Sequence, residues 1–301
     1  MRWLNGGNGD GRRVVLALLA VPLLLAGCGK SRPDDVSAPT RTPDRPAVLA
    51  PPLTTPPPTP SSTPPVSTAP ASTAPTSVSA PVAAAAVAPV VVVDPGHNGG
   101  NAANPAIVNA PVPDGTGGTK PCNTTGTSTD AGYPEHAFTW DVSLRLRDRL
   151  TGAGVQVVLT RPDDAGVGPC VDARAARAAE VGAAVFVGVH GDGSAPGNRG
   201  FHVITSSRDP AGPQVAAGTD RLAVALRDAM TSVVPVSTYL GVDGIDERPD
   251  LAGLNLNRVP AVYVECGNMR NAADAALMSS EPGRQAIADR LAVGVLTFLG
   301  R

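Results

Sequence analysis

The chain has 301 residues and a formal net charge of −2. That length holds one or two domains. So balanced a charge excludes a general attraction to nucleic acid or to anionic membrane surfaces.

At the N-terminus, Arg12 and Arg13 precede the apolar run "VVLALLAVPLLLAG", which ends at Cys28. A basic start, an apolar stretch short for a membrane span and small residues before a cleavage point describe a secretory signal. The end of the run, "LLAGC" (Leu24 to Cys28), resembles a bacterial lipobox. That resemblance implies a signal peptide over 1–27, cleavage before Cys28 and a lipid on the Cys28 thiol. An uncleaved anchor or a plain secretion signal are the alternatives, and the residues flanking the arginine pair fit a twin-arginine route poorly. From Cys28 to residue 88 the chain is rich in Pro, Thr, Ser and Ala and nearly devoid of large apolar side chains. Such a segment cannot bury enough surface to offset its ordering entropy, so a disordered linker is expected over 28–88. Extended polyproline geometry would let it reach on the order of 100–170 Å.

From Pro89 to Arg301 the composition changes to valine-rich runs alternating with helical patterns. This predicts one α/β domain with a mostly parallel central sheet flanked by helices. "VVVVD" (Val90 to Asp94) reads as the first strand, Glu135 to Leu150 as a helix, "VQVVLT" as a strand and Asp172 to Val181 as a helix. "AAVFVGVH" and "GFHVIT" read as strands, Arg221 to Val233 as a helix and "PAVYVE" as a strand. The closing helix, Pro282 to Leu299, carries Ile287, Leu291, Val295 and Phe298 on one face. The segment from Asn98 to Tyr133 is long for a connection inside a domain, and such loops are usually functional or mobile. No internal repeat and no second folded domain is legible.

The sequence has four cysteines. With Cys28 assigned to lipid, three pairings remain among Cys122, Cys170 and Cys266. Disulfides suit an exported protein. Cys122 and Cys170 both fall in loops and are the favoured pair, whereas Cys266 follows directly on a core strand. No CxxC cluster exists, so a thiolate zinc site is not expected.

Ligands of an open parallel sheet collect beyond the carboxyl ends of its strands. Three valine-rich strands end there in polar groups: the first in Asp94 and His97, another in His190, and "PAVYVE" in Glu265. Only four histidines exist in the chain. Glu135 opens the first helix on the face that carries Phe138, Val142, Leu146 and Leu150. Alone, it reads equally well as a first-turn acid favoured by the helix dipole. Together, His97, Glu135 and His190 make a His₂Glu set that leaves one position of a tetrahedral Zn2+ open. Glu265 is then the expected general base, taking a proton from water and returning it to a leaving amine, which makes an amide the natural substrate. His136 is expected to be exposed, and His202 structural or lining the cleft. Asp94 should brace its loop by hydrogen bonds. Asp192 reads either as an acceptor that orients His190 or as a turn former with Gly191 and Gly193.

"VVVDPGHNGG", Glu135 with "WDVSLRLRDRL", "VVLTRPDD", "RAARAAEVGAAVFVGVHGDG" and "PAVYVECGNMRN" resemble, in order, the blocks of zinc-dependent N-acetylmuramoyl-L-alanine amidases. More narrowly they resemble the amidase-3 group and its actinobacterial members, over about Val90 to Leu299. The resemblance implies a single α/β domain with one catalytic zinc. It implies hydrolysis of the amide between the lactyl group of N-acetylmuramic acid and L-alanine of the stem peptide in peptidoglycan. By position, His97, Glu135 and His190 match the zinc ligands, Glu265 the catalytic glutamate and Asn271 a helix-start asparagine. The chain departs from the family pattern at "HGDG" after the second histidine and at Asn268, where an apolar residue is common. These departures bear on substrate fit.

The expected protein is thus an exported, lipid-anchored monomer with its catalytic domain outside the membrane, no nucleic-acid partner, and peptidoglycan or muropeptide as substrate. Two alternatives remain at this level. One is a non-catalytic peptidoglycan-binding or regulatory lipoprotein on the same scaffold. The other is a zinc peptidase acting within the stem. The loop 98–133 and "ERPDLAGLN" are the expected groove walls.

Overall fold

A computed structural model describes residues 87–301. The expected signal peptide, Cys28 and all but the last two residues of the expected linker lie outside the described residues.

Six strands form one sheet in the order β4-β1-β5-β8-β6-β7. They are β1 (Val90–Pro95), β4 (Gln156–Leu159), β5 (Val185–Asp192), β6 (His202–Ser206), β7 (Ile245–Arg248) and β8 (Ala261–Asn268). The pairs β1–β4, β1–β5, β5–β8 and β6–β7 are parallel; only β6–β8 is antiparallel. The sheet is therefore mostly parallel, with helices on both faces. Because side chains alternate along a strand, each central strand feeds two cores. Val91, Val93, Val187 and Val264 pack on one face with Phe138, Val142 and Leu146 of α2 (Glu135–Gly152). Leu222 and Leu226 of α4 (Pro213–Met230) and Ile287 and Leu291 of α7 (Glu281–Phe298) complete that layer. On the other face, Val92, Phe186, Ile204 and Tyr263 meet Ala178 of α3 (Val171–Glu180) and Leu254 of α5 (Ala252–Asn255). Fully burying one such valine or leucine stabilises the fold by about 1.5–3 kcal/mol.

Helix α4 begins eight residues before the expected Arg221. Pro213 supplies a preset first-turn φ, and the inward position one turn before Leu222 is Gly218, which lies against Pro260 and shows no apolar signal in the sequence. Helix α6 (Ala272–Ser279) starts at Asn271, whose side chain accepts from the N–H groups of Ala273 and Asp274. None of the described helices is long and apolar enough to cross a membrane.

The segment from Asn98 to Tyr133 has its own structure: a 3-10 turn (Asn101–Ala103), α1 (Pro105–Val108) and an antiparallel hairpin of β2 (Pro111–Pro113) and β3 (Thr119–Pro121). A disulfide joins Cys122, just after β3, to Cys170 at the start of α3, while Cys266 is free and buried. The Val171 N–H also donates to the Cys122 carbonyl at 2.9 Å. The hairpin is thereby tied to the start of α3.

Candidate active site

The strands β1, β5 and β8 are neighbours in the middle of the sheet, and their carboxyl ends open into a cleft of about 390 Å³. His190 and Glu265 are register partners on β5 and β8, which sets them side by side facing the cleft. His97 arrives from β1 through the turn Pro95-Gly96-His97. Its φ of +60° lies in the left-handed region, which costs a non-glycine residue about 1 kcal/mol or more. Gly96 is required at this turn because a β carbon there would fall 2.4 Å from the His190 ring.

Two buried arginines hold that turn from behind. Arg174 donates to the carbonyls of Pro95 (2.7 Å) and His97 (2.8 Å) and to the Asp94 carboxylate (2.8 Å). Arg161 donates to the Pro95 carbonyl at 2.9 Å and to the His136 carbonyl of α2 at 3.0 Å. The Thr139 hydroxyl donates to the Gly96 carbonyl at 2.7 Å. Asp94 also accepts from the Thr160 hydroxyl. Burial alone would raise the Asp94 pKa, but Arg174 and Thr160 hold it below the usual carboxylate range. The brace expected of Asp94 is present; the arginines that complete it were not singled out from the sequence. Their signal was an arginine directly after a valine-rich strand and another on the alanine face of a helix.

Glu135, the first residue of α2, points inward and is 4 % exposed. It does not cap its helix. One carboxylate oxygen accepts from the Thr127 N–H at 2.9 Å, and the other from the Gly191 N–H at 3.1 Å. That second oxygen lies 3.0 Å from Nε2 of His97 and 3.2 Å from Nδ1 of His190. Burial opposes its ionisation, yet the two histidines hold Glu135 far below the usual carboxylate range. Burial likewise opposes the charged form of His97, and Glu135 overrides it and raises the imidazole pKa. The remaining nitrogen of His97, Nδ1, lies 3.1 Å from the Thr124 carbonyl. A carbonyl there fixes the proton on Nδ1 and leaves Nε2 free as a ligand.

Ligand atoms of His97, Glu135 and His190 all lie within 4.8 Å of one another. A tetrahedral ion with bonds of ~2.0–2.1 Å separates its ligands by roughly 3.3 Å. The two imidazoles and one carboxylate therefore fit a borderline metal ion with little movement. Glu265 is half-buried beside them, and its Oε2 has no hydrogen-bond partner. Burial, then the charges of Glu135 and Asp192, push Glu265 well above the usual carboxylate range.

The walls are the loop around Lys120 and Thr124 to Thr127 on one side and Arg248 to Gly253 on the other. One sequence expectation needs correction: His136 is half-buried rather than exposed, because Asp164 lies 2.8 Å from its Nδ1. Of the two readings of Asp192, the turn former holds: its carboxylate accepts from the Gly193 N–H, and also from the Tyr239 hydroxyl. His202 is buried and does not line the cleft. Asn268 is fully buried and bonded to the carbonyls of Ala195 and Asn198, so an amide at this usually apolar position shapes the loop after β5.

Residues 91–297 match the family model described as N-acetylmuramoyl-L-alanine amidase. The chain is 47 % identical over 215 residues to the N-acetylmuramoyl-L-alanine amidase Rv3717 of Mycobacterium tuberculosis, covering 70 % of this chain and 86 % of that protein. Among solved structures, the N-acetylmuramyl-L-alanine amidase Ami1 of Mycobacterium smegmatis aligns at 47 % identity and a TM-score of 0.68, over 70 % of this chain and 97 % of that one. The apo form of Ami1 from Mycobacterium abscessus aligns at 45 % identity and 0.67, over 71 % and 100 %.

Proposed function

The chain belongs to the N-acetylmuramoyl-L-alanine amidase family and is an amidase of peptidoglycan; from that premise we propose that it works with zinc bound by His97, Glu135 and His190 and with Glu265 as the catalytic base. The observation that carries this reading is the convergence of three ligand atoms within 4.8 Å beside a half-buried glutamate whose oxygen has no partner. Bound zinc would supply Lewis-acid polarisation of the scissile carbonyl and acidify water at neutral pH.

The chain's own residues do the rest. The Thr127 and Gly191 N–H groups orient the Glu135 carboxylate, and the Thr124 carbonyl orients the His97 ring. Glu265 takes a proton from the water that attacks the lactyl carbonyl. It then delivers that proton to the alanine nitrogen as the C–N bond breaks, since an amide nitrogen is a poor leaving group unless protonated.

The same reading places a signal peptide at 1–27, a lipid on Cys28, a tether over 28–88 and the catalytic domain at 89–301. It makes the protein an exported monomer anchored in the membrane and acting on the wall. The run "LLAGC" and the Cys122–Cys170 disulfide, which suits an oxidising compartment, support it. Cys28→Ser should move the protein from the membrane fraction to the soluble one; retention in the membrane would remove the lipid anchor from the account.

The test of the chemistry is mass spectrometry of products from a defined muramyl peptide, with zinc and with chelator. Release of a stem peptide that begins at L-alanine, with muramic acid intact and only with zinc, is expected. Cleavage elsewhere in the stem would make the enzyme a peptidase instead.

A further inference from the structure

Three side chains form a row across the sheet. His190 on β5 is the register partner of Glu265 on β8, and Glu265 is the register partner of His202 on β6. Residues paired in this way point to one face, and in an antiparallel pair their β carbons stand about 4.5–5.5 Å apart. Two residues along that face, Ile204 pairs with Tyr263, and both belong to the buried core. His202 therefore extends the polar end of the face one strand further, on the side of Glu265 away from His190.

His202 is 1 % exposed, and its Nδ1 is buried with no hydrogen-bond partner among the described residues. The opposing residue of the pair has the matching defect, since Oε2 of Glu265 is also buried and unpartnered. Asp192 is already committed, accepting from the Gly193 N–H and the Tyr239 hydroxyl. The Tyr239 ring meets the His202 ring edge-on, with centroids 6.3 Å apart, and limits its rotation. An apolar residue at this position would extend the core of Ile204 and Tyr263 and leave no buried polar atom unmet. Neutral or charged, an imidazole presents at least one N–H, and an ionised carboxylate oxygen only accepts. Both side chains are long enough to close the gap between their β carbons by torsion alone. We propose that His202 is a positioning residue: its Nδ1–H donates to Oε2 of Glu265 and holds that carboxylate with its other oxygen turned into the cleft. The inference rests on the reading of Glu265 as the base. His202 does not line the cleft, so it acts only through Glu265.

The experiment uses the full chain with zinc and N-acetylmuramyl-L-alanyl-D-isoglutamine. His202→Phe keeps a planar ring and removes the donor; His202→Asn returns an N–H near the position of Nδ1. His202→Phe should lower kcat about 10–100-fold, the worth of a hydrogen bond to a charged group, with KM, zinc affinity and melting temperature unchanged. His202→Asn should recover most of that loss. Added to Glu265→Gln, His202→Phe should cost almost nothing more, because the group it positions is gone. An equal loss in both backgrounds, or a rise in KM with kcat unchanged, would overturn the inference. If His202→Phe does not fold, His202→Leu takes its place in the same cycle. NMR of the full chain labelled with 15N-histidine reads the bond without turnover. The His202 Nδ1–H should be protected from solvent exchange and should shift in Glu265→Leu; an exchanging or unshifted resonance overturns the inference. A protected, shifting resonance in a wild type that fails to cleave would uphold the contact and remove the base reading alone.

Discussion

The central strands and the loop that follows the hairpin both line one cleft, and they are held there by different means. On the strand side, His97, His190 and Glu265 sit at the ends of β1, β5 and β8, and hydrophobic packing on both faces fixes their backbones. On the loop side, the segment around Thr124 to Thr127 has almost no apolar burial. It is held by the Cys122–Cys170 disulfide, by the bond of Asn101 Nδ2 to the Thr124 carbonyl at 2.7 Å, and by Gly126, whose φ of +77° and closeness to Glu135 leave no room for a side chain. In the proposed mechanism the strands supply His97 and His190 as ligands and Glu265 for proton transfer. The loop supplies backbone atoms that orient them. Rigid packing suits the first task, while crosslinks let the second be met by a surface segment.

That contrast can be broken from either side. The larger effect should come from the strand side. Arg174→Met leaves Asp94 buried without its cation and frees the turn carrying His97, so stability should fall by about 3–5 kcal/mol in urea unfolding at neutral pH. The sign of the pH effect follows from the lowered Asp94 pKa. The pair's contribution is complete above the unfolded value near pH ~3.9 and is lost as pH falls through the folded value. The gap between wild type and Arg174→Met should therefore narrow in acid. A gap that stays constant would mean that Arg174 acts through packing alone.

The smaller effect belongs to the loop. Replacing both Cys122 and Cys170 by serine removes a crosslink that spans a sequence separation of 48 residues and should cost about 2–4 kcal/mol. Because Thr124 orients His97, zinc affinity should also weaken by roughly 10–100-fold, read with a competing chelator. Lost stability with unchanged zinc affinity would show that the loop does not serve the ligands.

The same division explains what was legible in the sequence. His97, His190 and Glu265 could be located because valine runs announce strands and a parallel sheet gathers its strand ends. Glu135 could be located because it continues a helical stripe. The long strands were readable to within a few residues. The hairpin of β2 and β3 was not, since three-residue strands rich in proline show no alternation. Nor were the roles of Arg161 and Arg174, or the pairing of Asp192 with Tyr239. Each depends on contacts between segments far apart in the chain, and a polar residue in a polar stretch carries no period.

Product masses from a defined muramyl peptide, incubated with wild type and with Glu265→Gln, each with zinc and after chelation, decide whether His97, Glu135, His190 and Glu265 carry the reaction. Wild type with zinc should release the L-alanyl stem. Chelation should stop it, and Glu265→Gln should slow it by about 10²–10⁴-fold while still binding zinc and keeping its melting temperature. Cleavage that survives chelation, or a Glu265→Gln protein as active as wild type, would contradict the assignment of these four residues.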